Sequence, residues 1–503
     1  MTVLSYHERT KHRLEKYAAG PETLDWSMQP DPFRTFAGSK SIALPFSAKQ
    51  IRMPFEAVYG KNSCFEASLD SVGSLLQLSM GLSAWKEYMG DRWALRCNPS
   101  SGNLHPTECY ILALNIPGIG NGLHHYRSLD HHLEQRCQVD WHGDARLFIG
   151  LSSIHWREAW KYGERAFRYC QLDVGHALGS LRYAAALLGW RLGLVESPDD
   201  ILGTQRKTDF IGVEPEEFDL FLEADLGQGI RGIPALEYHD WSGSANRIDS
   251  SPMYSWPIIE QVSQSTRRQS PLPSLRNTEV QDSPFCMEPE AVKTILGRRS
   301  AQKFDASYTM SQDVFFSMLH KLIPENTLPW DIWGFEHRVH PVFFIHRITG
   351  MAPGIYILPR GPSIQKNHFR SEFLWEKIGP LILLAKTDCR KAAKTLCCHQ
   401  SIASESCFSL GMLAEFTILK SNPWRYRQLH WESGLMGQIL YLEAEAAGLR
   451  GTGIGCFFDD TFHEFLGVSN HELQSVYHFT VGKPLLDSRI TILPPYSSLH
   501  SGE

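Results

Sequence analysis

Two stretches decide the fold: Arg168–Trp190, RYCQLDVGHALGSLRYAAALLGW, and Arg427–Arg450, RQLHWESGLMGQILYLEAEAAGLR. Arg168, Gly175, Leu181, Ala185 and Gly189 match Arg427, Gly434, Leu440, Ala444 and Gly448, and each pair is 259 residues apart (434 − 175 = 259). Both stretches carry Ala and Leu at helical spacing and close on a glycine suited to ending a helix. Each predicts a buried core helix. A buried helix alone carries no chemistry, so the repetition is what informs.

Working outward, LHPTECYILALNIPGIGNGLHHY (104–126) parallels VHPVFFIHRITGMAPGIYIL (339–358), with His105-Pro106 against His340-Pro341 and Gly122 against Gly354. Each copy is a β-rich run, a glycine turn and a second run, the pattern of a hairpin. Hairpin then long helix, twice over, predicts two copies of one α+β domain, with one connecting loop lengthened between them. The expected boundaries are an N-terminal arm (1–44), a first domain (45–241), a linker (242–284) and a second domain (285–495). The linker is rich in Ser, Pro, Gln and Asn without periodicity and reads as extended. Two fused copies of a self-pairing domain predict an intramolecular pseudo-dimer. The polar, helical-looking YHERTKHRLEKY (6–17) is a candidate arm for holding a second chain.

Composition narrows the function. The chain has 503 residues, 43% hydrophobic and 21% charged, as soluble globular proteins do. Its formal net charge of -6 speaks against nucleic acid as the main partner, since phosphate neutralisation needs a basic surface. No stretch approaches the ~20 apolar residues of a membrane span. The N-terminus lacks a signal-peptide apolar run, so a cytoplasmic location is expected. Eleven scattered cysteines suit reduced thiols better than a disulfide framework. Cys397-Cys398-His399 lacks a second pair at zinc spacing, so no metal is expected. His124, His125, His131 and His132 flank Ser128-Leu129-Asp130 and read as a solvated hairpin turn.

Two loops can carry chemistry. RCNPSSGNLHP (96–106) puts proline, two serines, glycine and asparagine in succession, which forces a turn and supplies hydroxyl, amide and backbone donors. The same composition also suits a plain surface loop before a strand. GRRSAQKFD (297–305) follows the helical stretch EAVKTIL. Two arginines beside a serine can grip a phosphate bidentately, or form a solvated basic turn.

RRSAQKFDASYTMSQDVFFSML resembles the opening motif of the nitroreductase family, and NPSSGNLHP resembles that family's Pro-Ser-x-x-Asn loop. Within the family, RCNPSSGNLHPTECYIL and KYGERAFRYCQLDVGHALGSLRYAAALLG are similar to the SagB/ThcOx branch of FMN-dependent dehydrogenases, many of which oxidise azoline rings in modified peptides. The resemblance spans roughly 45–235 and 285–490. It implies an FMN cofactor gripped by Arg298, Arg299, Ser300 and Gln302. It also implies backbone amides near Gly453, Ile454 and Gly455 facing the flavin, with phosphate-binding cations at Lys483 and Arg489. Pro99, Ser100, Ser101 and Asn103 would close the site from the other half. The second half lacks the Pro-Ser-x-x-Asn loop, since WDIWGFEHRVHP (330–341) stands there. The first half lacks the arginines, replaced by YGKNSCFEASL (59–69), and the Gly-x-Gly turn, replaced by LVESPDDILG (194–203). One complete flavin site per chain is therefore expected.

GTGIG (451–455) follows a helix rather than a strand, which excludes a Rossmann dinucleotide loop. Lys161-Tyr162 resembles the Lys-Tyr pair of the azoline-oxidising branch, where a base removes a ring proton. A lysine base needs a lowered pKa from burial or a cationic neighbour; otherwise the pair is an exposed, charged helical turn. Three functions stay open: an oxidase of azolines or a related small or peptide substrate, working beside a biosynthetic-cluster partner enzyme; an NAD(P)H-dependent nitro or quinone reductase; and a non-catalytic scaffold.

Overall fold

A computed structural model of the chain describes residues 2–196, 213–268, 272, 289–325, 327–468 and 471–497. Two seven-stranded antiparallel sheets dominate it. Across the first run Arg191–Val195, Glu217–Asp225, Arg146–Ser153, Thr107–Leu114, Gly122–Arg127, His132–Gln135 and Lys40–Ala43. Across the second run Arg450–Ile454, Leu473–Gly482, Phe408–Glu415, Val339–Ile345, Gly354–Ile357, Leu381–Lys386 and Glu376–Ile378. The orders correspond strand for strand, with both expected hairpins in matching places. Only the far edge differs in origin. Lys40–Ala43 comes from the residues assigned to the arm, whereas Glu376–Ile378 lies inside the second half's lengthened connection.

The two repeated stretches form helices of equal length, Ala166–Leu187 and Arg425–Ala446, which pack against each other. Their matched arginines reach in opposite directions. Arg168 Nη2 donates to Asp459 Oδ1 of the second half at 2.8 Å, with Arg165 Nη1 3.0 Å from Asp459 Oδ2. Arg427 Nη1 donates to Asp219 Oδ1 of the first half at 2.5 Å, and Nη2 to Glu217 Oε1 at 2.9 Å. One apolar core, from Leu75 and Leu178 to Leu435 and Phe479, runs continuously through both halves.

The chain ends also cross over. The tail strand Thr491–Leu493 pairs with Leu82–Tyr88, which pairs with Asp91–Arg96, so a third sheet mixes the two halves. At the other end, helix Val3–Arg9 is capped by Thr2 Oγ1, which accepts from Ser5 N. Tyr6 and His7 are buried, and Lys11 Nζ reaches Asp460 Oδ1 at 2.8 Å. The arm expected to hold a second chain is thus helical only to Arg9 and docks on its own chain.

Three further expectations change. The described part of the 242–284 linker is structured. Ser244–Ala245 pairs with Phe36–Ala37, and helix Pro257–Ser265 buries Ile258, Ile259 and Val262. Residues 269–271 and 273–284 of that stretch, and 197–203 of LVESPDDILG, lie outside the described residues. The histidine hairpin is present, but His124 and His125 are fully buried because the strand Gly122–Arg127 sits inside the sheet, and His131, in the turn, is buried against Phe46 and Tyr126. Burial alone would lower the pKa of His125. Glu108 Oε2 (3.2 Å) and Glu134 Oε2 (2.9 Å) flank its ring and hold it above its ordinary value instead. Among the described residues no group of His, Cys, Asp and Glu is arranged to hold a metal, and no helix is long and apolar enough to cross a membrane.

Candidate functional site

The loop after Asp91–Arg96 turns through Ser101–Asn103 with left-handed backbone at Gly102 (φ 59°) and Asn103 (φ 61°). Gly102 suits both the dihedral and the space, since a Cβ there would lie 2.5 Å from the Tyr162 hydroxyl. The loop is pinned from three sides. Asn103 Nδ2 donates to Ala94 O (2.9 Å), His105 N to Ser100 Oγ (2.8 Å), and Ser101 N to Asp173 Oδ1 (3.1 Å).

Opposite it, helix Ala291–Gly297 ends at Arg298. Arg298 reaches into the first half, donating from Nε to Cys97 O (3.2 Å) and from Nη2 to Arg96 O (3.0 Å), with its guanidinium 4.9 Å from the centre of the Tyr441 ring. Arg299 donates to Ser83 Oγ (3.1 Å) and Ser83 O (2.9 Å). Arg298 Nη1 and Arg299 Nε are buried without hydrogen-bond partners. Burial lowers the pKa of both, and burial with repulsion from Arg298 brings Arg299 down to about 10. Thr452 Oγ1 donates to Ala301 O at 2.7 Å and fastens this turn to the strand Arg450–Ile454.

The glycines of that strand leave room for tyrosines. A Cβ on Gly453 would lie 1.8 Å from Tyr477 OH, and one on Gly455 2.4 Å from Tyr169 Cε1. Tyr441 OH accepts from Gly453 N (3.0 Å) and hydrogen-bonds Ser300 Oγ (2.8 Å).

These elements enclose a cavity of about 390 Å³. From the first half it is lined by Pro99, Ser100, Ser101, Asn103 and Tyr162. From the second come Arg298, Arg299, Ser300, Gln302, Gly453, Ile454 and Gly455. Lys161 sits just behind the loop, its Nζ 5.2 Å from the centre of the Trp26 ring, and burial lowers its pKa against the pull of Glu158.

Lys483 and Arg489 are not on this wall. Lys483 Nζ donates to Gly448 O (3.0 Å), and Arg489 pairs with Asp487 (2.7 Å) on the surface. The tail leaves to pair with Leu82–Tyr88, which carries both side chains away. Lys86 takes their place on the wall and also lines an adjoining cavity of about 330 Å³ together with Arg450.

Sequence reasoning also missed Tyr169, Asp173, His176, Tyr441 and Tyr477, all on the wall. Asp173 and His176 had a signal: polar residues inside an otherwise apolar helix need a reason to be there. Across the molecule, WDIWGFEHRVHP fills the main core with Trp330, Ile332, Trp333 and Phe335, and Asp331 pairs with Arg182 at 2.7 Å.

The sequence model of the Nitroreductase family matches residues 383–483, from the strand Leu381–Lys386 to the end of the strand Leu473–Gly482. No curated protein matches the chain. A crystal structure described as a nitroreductase, from Anabaena variabilis, is similar over 96% of this chain and 100% of its own, at 21% identity and a TM-score of 0.70. One from Ralstonia eutropha covers 44% of this chain and 98% of its own, at 14% identity and a TM-score of 0.30. The Escherichia coli microcin synthetase McbBCD complex with truncated pro-MccB17 bound covers 48% of this chain and 85% of that one, at 13% identity and a TM-score of 0.31. Over 96% of its length the chain therefore has a mixed α+β, nitroreductase-like fold, and residues 383–483 match the Nitroreductase family's sequence model.

Proposed function

We propose that the chain is an FMN-dependent oxidoreductase, built as an intramolecular pseudo-dimer with one composite flavin site. One observation carries this reading: the arginine turn of the second half and the 96–106 loop of the first close on one cavity and bond each other directly, Arg298 to Cys97 O. The donor set fits a flavin mononucleotide. Two buried guanidiniums keep unpartnered N–H groups, and neither is in an ion pair among the described residues, so a phosphate would complete both. When bound, the flavin supplies two-electron chemistry that no side chain can.

The protein's own part is positional. Arg298 and Arg299 hold the anion, with Ser300 beside them. Tyr441 fixes the Gly453 amide, and Pro99, Ser100, Ser101 and Asn103 close the other face. The cavity volume is within the usual range for a cofactor cleft. Unpaired buried cations are costly to keep in a scaffold without a ligand, which speaks against the non-catalytic reading.

A SagB-type substrate, an azoline ring or related small or peptide group, is favoured over a nitro compound or quinone by the position of Tyr162 on the cavity wall with Lys161 behind the closing loop. The test is the absorbance of the purified protein. We expect a flavin spectrum at about one cofactor per polypeptide, lost in Arg298→Ala. A colourless chain that takes up no added FMN overturns the reading. Bleaching by NAD(P)H alone would move the assignment to the reductase.

A further inference from the structure

The helical turn bearing Lys161 and Tyr162 also bears Glu158, and the first long helix bears Asp173. Both carboxyls are buried, at 0% and 2% exposure. Asp173 lines the cavity and accepts from Ser101 N at Oδ1 (3.1 Å) and Oδ2 (3.2 Å), and from Ser101 Oγ at Oδ1 (3.1 Å). Glu158 makes no well-formed hydrogen bond, and the Ser100 hydroxyl is the donor that faces it. The other groups facing the two are Lys161 and Tyr162 from the same turn, Cys170 from the long helix, Tyr477 from the strand Leu473–Gly482, and the hydroxyls of Ser100 and Ser101. Burial keeps Tyr162, Cys170 and Tyr477 protonated and neutral. Lys161 is the one cation in this group. Two neighbouring carboxylates against one half-desolvated ammonium cannot both ionise, so the pair retains a proton.

We propose that Glu158 and Asp173 form an acid–base pair that stores a proton at the cavity wall, Asp173 being the catalytic residue that exchanges it with substrate and Glu158 the positioning residue behind it. The use of that proton rests on the oxidoreductase reading above; the storage does not. The pair suits a ring with two adjacent C–H bonds. On oxidation the electrons of one C–H would leave as hydride to a two-electron acceptor, a flavin by class, the proton of the neighbouring carbon would pass to the Asp173 carboxylate, and a C=C bond would form. Burial pushes Asp173 up to about 7 against the hydrogen bonds from Ser100 and Ser101. Burial, with Asp173 as neighbour, holds Glu158 well above the carboxylate range.

The test is a pH-difference infrared spectrum of the purified protein. Wild type should lose a protonated-carboxyl band with a midpoint near 7. Glu443, also pushed up to about 7 by burial, adds a constant background that comparison with Asp173→Asn subtracts. That variant should lack the Asp173 component and move the Glu158 component, which titrates above it in wild type, downward; Glu158→Gln should keep the component near 7 and lose the upper one. An identical carboxyl titration in wild type and Asp173→Asn overturns the proposal. So does an upper component that survives in Glu158→Gln, which decides the matter even if the Asn variant misfolds. A chain that titrates as expected but binds no flavin defeats only the function proposed above.

Discussion

Gly175 lies against Gly434, the residue that matches it 259 positions later. A Cβ on Gly175 would sit 2.3 Å from Trp431 O and 2.9 Å from Gly434 Cα, and a Cβ on Gly434 would sit 2.2 Å from Leu172 O and 2.9 Å from Gly175 Cα. An intramolecular pseudo-dimer would bring such counterparts together. Alanine at either site gains about 1 kcal/mol of helix propensity. It loses more, since a backbone carbonyl cannot move aside as a side chain can, and overpacking costs about 1–3 kcal/mol. We expect each single variant to unfold at lower urea. The double variant should be little worse than the poorer single one, because one separation of the helices relieves both clashes. Fully additive losses would contradict this.

Arg168 and Arg427 occupy matching positions and each pairs with carboxylates of the opposite half. Asp459 balances two buried guanidiniums, Arg165 and Arg168, so Asp459→Asn should cost about 3–5 kcal/mol by leaving them uncompensated. Although burial opposes it, the arginines hold the Asp459 carboxyl far below the usual carboxylate range. A depressed folded pKa gives stability that is present above the unfolded value near 4 and lost as pH falls below it. Wild type should therefore show an acid-induced loss that is weaker in the variant, measured by denaturant melts across the acid range.

The long helices and hairpins were readable because burial leaves period and glycine placement on the sequence itself. The loop residues Ser100–Asn103 and the turn Arg298–Gln302 were readable for a similar reason: each is a local motif whose composition states what it can donate. What failed was non-local. Lys483 and Arg489 follow the last long strand in sequence, yet the pairing of Thr491–Leu493 with Leu82–Tyr88 leads them outward and leaves Lys86 on the cavity wall. His124, His125 and His131 read as solvated because one strand cannot tell whether neighbours will cover both its faces. Helix Pro257–Ser265 was hidden by flanking Ser and Pro, although Ile258, Ile259 and Val262 already gave it an apolar stripe.

Tyr441 links three parts of the site: its hydroxyl contacts Gly453 N and Ser300 Oγ, and its ring lies under Arg298. Tyr441→Phe keeps the ring and orphans the Gly453 amide. The expected cost is about 1–2 kcal/mol, seen as a roughly tenfold weaker retention of added FMN by equilibrium dialysis. Tyr441→Ala, which also removes the surface beneath Arg298, should weaken it further. Equal retention in wild type and the Phe variant would separate this tyrosine from the flavin.

Glu443 offers a cleaner view of buried acids because it stands away from the cavity. Its Oε1 accepts from Tyr59 OH, which in turn meets Tyr183 OH at 2.8 Å. Burial pushes its carboxyl up to about 7, against the Tyr59 hydrogen bond and the nearby Lys321. A folded pKa raised above the unfolded value near 4.5 means that the folded state binds the extra proton between the two. The stability it contributes is fully present below about pH 4.5 and is lost as pH rises through about 7, roughly 3 kcal/mol in all. Gln at this position still accepts from Tyr59 but cannot ionise. Glu443→Gln should therefore match wild type in denaturant melts near pH 4.5 and exceed it above pH 7. If the two stability curves stay parallel across that range, Glu443 is ionised in the folded protein and its burial is compensated by a cation, for which Lys321 is the nearest candidate.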